Sequence, residues 1–294
     1  MYVIIFNSTN IVAGSFNTKL RYVFPKAIKF EKNSQIALSS LNMFYSWYNI
    51  NANLYSNNVF QYVWFNASGV LNKTITVTIP DGYYSIETLN EFVQSVLVTN
   101  GHYLTRTSDG KYIYHIEFVA NPTYYSCQLN LYYMLASAES TGYVRGNTTW
   151  AFPTARTCPQ VIINSTNNFK SLIGFKAGTF PAAQASTFQT FLSTVTPTLS
   201  PVSSLVLTCS LCQQDLATPD NVLYCFTAGQ TIFGDTISSS PSALSFCNIR
   251  EGSYNFIDLT IVDQNLNPMN IKDGQMIVML TIRTLEQDSA YGKN

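Results

Sequence analysis

The chain has 294 residues, with 16 basic and 16 acidic side chains that cancel, and only 11% of its residues are charged while 46% are hydrophobic. Balanced charge with no strongly basic window excludes the footprint that neutralises many phosphates, so direct nucleic-acid binding is not expected. A soluble domain usually carries about a quarter charged residues, and a chain that offers Asn, Ser, Thr and Tyr instead is expected to bury part of its surface against other subunits.

The N-terminal run 2–6 is apolar and reads as a strand. It is too short for a signal core and lacks a basic leader, so synthesis in the cytoplasm as a soluble protein is the expectation. No run approaches the ~18 apolar residues of a membrane span. Strand patterns follow at 18–24 and 35–48. Within the second, the apolar phase slips from Ile36 and Leu38 to Leu41, Met43, Tyr45 and Trp47, which predicts a β-bulge near Ser39 and Ser40. Strands are read at 59–65 and 73–79. After the turn Pro80-Asp81-Gly82, Ser85 is placed to cap a helix carrying Ile86, Leu89, Val93, Val96 and Leu97 at helical spacing, ending before Asn100-Gly101.

Further strands are read at 111–119, 123–134, 204–212 and 222–226, while 136–153, 177–201 and 213–248 lose periodicity and read as long loops or an insertion. The chain closes on two alternating runs, 254–263 and 276–283. Ile257, Leu259 and Ile261 share one face of the first, and Met276, Val278, Leu280 and Ile282 one face of the second. Pro268 and Asp273-Gly274 between them predict two separate strands that need not be neighbours. Leu259 and Leu280 are expected in one core, with Thr281 exposed. One helix among at least eight strands predicts an all-β, mainly antiparallel fold: a single jelly-roll β-sandwich over 1–294, with long loops or an insertion and one short helix. No repeat indicates a duplicated domain.

Chemistry is sparse. The six cysteines, Cys127, Cys158, Cys209, Cys212, Cys225 and Cys247, are expected to be reduced and buried. Cys209 and Cys212 form a C-x-x-C without companion zinc ligands, and an extended strand would send them to opposite faces. His115 and Glu117 would share a strand face, the minimum hint of a cupin-like metal site, but His102 is the only other histidine. Gly174 and Gly178 lack the spacing of a phosphate loop. The aromatic groups at 44–48, 62–65 and 132–133 are expected to serve core and subunit contact rather than ligand stacking. Asn7, Asn66, Asn72, Asn147 and Asn164 head Asn-x-Ser/Thr triplets, expected to stay unglycosylated. No catalytic, cofactor-binding or metal residue is assigned.

Six segments in order, 17–25, 36–50, 79–90, 172–181, 200–210 and 262–268, together resemble the penton (minor capsid) proteins of virophages and Polinton/Maverick elements, nearest to the mavirus-like virophage type. Among them are Asn17 to Pro25, Pro80-Asp81-Gly82-Tyr83-Tyr84 and Val262 to Pro268. The resemblance implies a non-enzymatic capsid protein without cofactors: a single jelly-roll, five copies of which form each icosahedral vertex beside a major capsid protein of two fused jelly-rolls. It implies synthesis in the host cytoplasm and residence in the virion. A carbohydrate- or receptor-binding spike module and a cupin-type metalloenzyme are the alternatives.

Overall fold

The computed structural model describes residues 1–285. The chain begins with strands β1 (Tyr2–Phe6), β2 (Lys19–Phe30) and β3 (Ser34–Phe44). Its middle holds β4 (Val59–Phe65), β5 (Leu71–Thr78), helix α1 (Ile86–Thr99), β6 (Leu104–Arg106), β7 (Tyr112–Ile113), β8 (Ile116–Asn121), β9 (Ser126–Leu131), β10 (Tyr143–Arg145), β11 (Gln160–Ile163), helix α2 (Phe169–Ile173), β12 (Gly178–Phe180) and β13 (Gln189–Leu192). The C-terminal part holds β14 (Leu205–Cys209), β15 (Cys212–Gln213), β16 (Val222–Phe226), β17 (Thr236–Ser239), β18 (Cys247–Ile249), β19 (Gly252–Asp263) and β20 (Met276–Thr284).

Where the sequence suggests one domain over 1–294, the structure divides into two compact units. Unit 1 joins Met1–Trp47 to Val202–Asn294, and unit 2 is Tyr48–Pro201. The insertion is thus one contiguous 48–201 piece with its own core. The loop candidates 136–153 and 177–201 fall inside it, and 213–248 stays in unit 1.

Unit 1 is the jelly-roll sandwich. One sheet runs β2-β19-β14-β16, the other β1-β20-β3-β18-β15, with β17 also paired to β3. Both β17 and β18 run antiparallel along β3, at Phe44 to Leu41 and then at Ile36 to Gln35, so they act as one interrupted strand. Counted that way, each step from β14 to β20 crosses from one sheet to the other, as in the Greek keys of a jelly-roll. The two inner faces meet in a single core that includes Leu20, Ile36, Leu41, Leu207, Leu259 and Leu280. Full burial of such side chains stabilises by roughly 1.5 to 3 kcal/mol each.

The predicted bulge is present. Met279 pairs with Ser40 and Leu280 with Leu38, leaving Ser39 as the extra residue. This slip lets Ile36 and Leu38 share the core with Leu41 and Met43 despite the change of phase. One expectation fails beside it: Thr281 is only 5% exposed, its hydroxyl 2.5 Å from that of Ser39. The bulge residue supplies the buried hydroxyl with a partner. Strand β3 stops at Phe44, short of the predicted 48, but Tyr45 and Trp47 still enter the core.

Unit 2 carries three antiparallel sheets, β12-β11-β4-β5, β13-β9-β8 and β10-β6-β7. Helix α1 has the predicted cap, with the Ser85 hydroxyl accepting from the Thr88 amide (3.2 Å), and it buries Ile86, Leu89, Val93 and Leu97. Helix α2 is a second helix where one was expected; its five residues are too few to show a helical period. Gly174 ends it in the left-handed region (φ 74°), and a Cβ there would stand 2.1 Å from the Val195 carbonyl oxygen. Aromatic rings fill the core: Phe60 stacks on Phe169 (4.9 Å) and Trp150 meets Trp64 edge-on (5.5 Å).

Candidate assembly surface

The sandwich of unit 1 has two outer faces of different chemistry. On the β2-β19 face, Asp258 accepts from Arg21 (2.6 and 2.7 Å) and pairs with Lys19 at 3.0 Å. The hydrogen bond from Arg21, seconded by Lys19, holds the Asp258 carboxyl below its ordinary range. Arg21 also lies 4.2 Å over the Phe256 ring. Around this ion cluster the face also exposes Val23 and Phe256, so its exterior is mixed.

On the opposite sheet, alternation turns outward Val3 and Ile5 of β1, Ile277, Met279, Thr281 and Arg283 of β20, Asn42 and Phe44 of β3, and Thr236 and Ser238 of β17. Register brings Ile5 beside Met279, and both Ile5 and Ile277 are 49% exposed. Arg283 is the one ionisable side chain in this set, and it is engaged: it donates to the Gln35 side-chain oxygen (2.9 and 2.8 Å) and lies 3.6 Å over the Phe246 ring. Strand β1 also forms the edge of its sheet, with its outer backbone groups outside any ladder. An open edge without charge beside an apolar face is the combination that soluble proteins avoid unless something covers it.

The positions singled out for chemistry lie elsewhere. Cys209 and Cys212 do not diverge: a turn at Ser210-Leu211 ends the strand, and both thiols enter the unit 1 core with Cys247. Thiol hydrogen bonds with Cys209 and Cys247, and then burial, push Cys212 far up, while the bond from Cys212 lowers Cys247 to about 7. Gln214 Nε2 stands 2.9 Å from the Cys247 sulphur. Cys225 departs from the expected burial and is exposed; the other five are buried. His102 and His115 are both buried in unit 2. Tyr62 Oη and His102 Nδ1 share a hydrogen bond (2.8 Å), and Trp64 stacks on that imidazole at 4.8 Å. His115 and Glu117 belong to different hydrogen-bond sets, the former meeting the Tyr132 carbonyl and the latter Asn130 and Tyr132 Oη. Among the described residues no three His, Cys, Asp or Glu side chains converge as metal ligands.

Three of the Asn-x-Ser/Thr triplets have a local reason to exist. Asn7, Asn66 and Asn147 each accept a backbone N–H two residues on, at 2.8 to 3.0 Å, and the threonine hydroxyls of Thr9 and Thr149 add a second bond. The triplet is the sequence of an Asx turn.

Among solved structures, the chain is similar to the crystal structure of mavirus penton protein, at 13% identity over 97% of this chain and 98% of that one, with a TM-score of 0.45. It is also similar to a chain of the Sputnik virophage structure determined by electron cryomicroscopy, at 11% identity over 95% and 97% of the two chains, with a TM-score of 0.37. No family model matches, and no curated protein matches. The chain is thus similar, over nearly its whole length, to solved virophage structures, one of them a penton protein.

Proposed function

We propose that this chain is a structural capsid protein, not an enzyme, whose homopentamers form the vertices of an icosahedral virion beside a double jelly-roll major capsid protein. It is made in the host cytoplasm and ends in the virion. The observation that carries this reading is the outer face of the β1-β20-β3 sheet, where Val3, Ile5 and Ile277 are exposed, Arg283 is engaged with Gln35, and a protein cover is called for. A single jelly-roll can close a ring through one repeated heterologous contact, and the resemblance of the segments between Asn17 and Pro268 to penton proteins supports a ring of five. Among the described residues no helix is long and apolar enough to cross a membrane. A spike module, the alternative, would leave this face bare in monomers or trimers.

The test is the mass and shape of the purified protein by light scattering and negative-stain microscopy, alone and with the major capsid protein. Five copies of 32.9 kDa give about 165 kDa and a five-fold ring. Ile5→Lys and Ile277→Lys should abolish the ring while leaving the monomer folded. Trimers alone under every condition, or rings indifferent to both lysines, would refute the reading.

A further inference from the structure

We propose that a cleft within unit 2 is a binding site for an uncharged sugar ring. This is independent of the assembly reading, which concerns unit 1.

The cleft has a volume of about 460 Å³ and is walled by β6, β7, the start of β8 and the residues following β9, with Gln94 of α1 at one side. That size falls in the range of small-molecule sites. Its wall carries a carboxylate with acceptor capacity to spare. Glu117 accepts from Asn130 Nδ2 (3.1 Å) and Tyr132 Oη (3.0 Å) through one oxygen, Oε2, which leaves capacity on the carboxylate. His115 is 3% exposed and has Nδ1 3.2 Å from the Tyr132 carbonyl oxygen, so Nδ1 carries the proton and donates. Its Nε2 is a buried acceptor without a hydrogen-bond partner, so the imidazole backs the wall and is not a contact for a ligand. Burial lowers this imidazole to about 4, which agrees with a neutral ring at physiological pH.

Aromatic faces complete the site. Tyr112 and Tyr132, both lining the cleft, are 47% and 38% exposed, yet each ring is braced from behind: Tyr112 by Tyr103 (4.6 Å) and Tyr132 by Phe188 (4.9 Å). Braced, exposed rings offer a flat apolar surface at small entropic cost. An anion is disfavoured, because Arg106 is already held by both Asp109 oxygens (3.0 and 2.6 Å) and Glu117 lines the wall. A cation is disfavoured by Lys111 in the same lining. An apolar ligand would leave the remaining acceptor capacity of Glu117 unused. A pyranose supplies hydroxyl donors on its rim, a C–H face for the tyrosines and no charge.

Saturation-transfer NMR on the full chain, with D-galactose, D-mannose, D-glucose and N-acetyl-D-glucosamine as probes, tests the assignment, with sialic acid and tetramethylammonium as charged comparators. Transfer to at least one neutral sugar is expected, with affinity lowered at least about tenfold by Glu117→Gln and by Tyr112→Ala. Circular dichroism checks that both variants fold, and Tyr112→Phe, which keeps the stacking face, should retain binding. Ile277→Lys should leave sugar transfer unchanged, so the site and the assembly face fail separately. The proposal is overturned by absence of transfer from every neutral sugar at about 50 mM, by transfer that both cleft variants leave intact, or by transfer confined to a charged comparator.

Discussion

Lowering the pH from 7 to 4.5 should weaken unit 2 and leave unit 1 nearly untouched. The chain's two histidines, His102 and His115, both lie in unit 2. Burial, and secondarily Lys73, lowers His102 to about 3, and burial lowers His115 to about 4, against an ordinary 6.5. The unfolded chain therefore takes up two protons below 6.5 that the folded unit refuses. Stability is fully present above 6.5 and is lost as pH falls toward the folded values. At about 1.4 kcal/mol per pH unit per group, two units of acidification remove about 3 kcal/mol for each histidine, a large share of a domain's margin. The carboxylates held low by their partners, Asp109 to about 2 and Asp258, contribute losses only once pH falls through their own lower range. Urea titrations at pH 7, 6, 5 and 4.5 read the effect. Trp64 and Trp150 report unit 2 and Trp47 reports unit 1, and one-tryptophan variants separate them. His102→Gln with His115→Gln should flatten the dependence. A unit 2 midpoint constant from pH 7 to 4.5, or an equal fall in unit 1, would refute the reasoning.

Leu280→Ala should cost about 3 to 5 kcal/mol in a thermal or urea melt of unit 1, by lost transfer energy and a residual cavity. Thr281→Ala should cost about 1 to 2 kcal/mol, because the Ser39 hydroxyl loses its buried partner, while Ile277→Thr on the same strand should stay within about 0.5. Equal and negligible effects at 281 and 277 would contradict the bulge. Asp263→Ala should destabilise by about 1 to 3 kcal/mol, since Asp263 accepts from the Asn265 and Asn267 amides (2.8 and 2.7 Å) in the turn after β19; no change in melting would count against it. A thiol reagent should titrate Cys225 at once in the native protein and the five buried cysteines only after denaturation, and a second fast thiol would overturn the burial assignment.

Long alternating runs were legible because their period is set by burial of one face. The strands at 2–6, 59–65 and 222–226 have the bounds read from sequence, and the phase slip at Ser39 located the bulge. Strands of two to four residues, such as β6, β10, β12, β17 and β18, complete no period and passed for loop. Their pairing comes from ladders with distant strands: β17 and β18 lie along β3 although nearly two hundred residues of chain separate them from it. The division at Tyr48 and Val202 was illegible for a related reason. The Tyr48 junction carries no Gly, Pro or charge; the other follows Pro201, where the 177–201 stretch read as loop ends, yet only the contact pattern shows that 48–201 closes on itself.

Thr281 was misread for a more instructive reason. Alternation says which face a residue takes, but not whether that face is wet, and the outer face of β20 is exposed at Ile277 and buried at Thr281 only four residues on. Residue type did not separate the two, since the polar residue is buried and the apolar one exposed. The same reversal recurs on β1, while Asn42, Thr236 and Ser238 on the same face are polar and exposed. A strand selected only for solubility would place the threonine at the wet position and the isoleucine at the dry one. Here three of the wet positions carry Val3, Ile5 and Ile277, a cluster that a partner surface would use and water does not call for. The low charge of the whole chain gave the same indication without saying where. Val3, Ile5 and Ile277 lie exposed on one sheet face without an ion cluster, while on the other the exposed Val23 and Phe256 sit beside Lys19, Arg21 and Asp258, and that difference, not the average composition, makes assembly a testable claim about named residues.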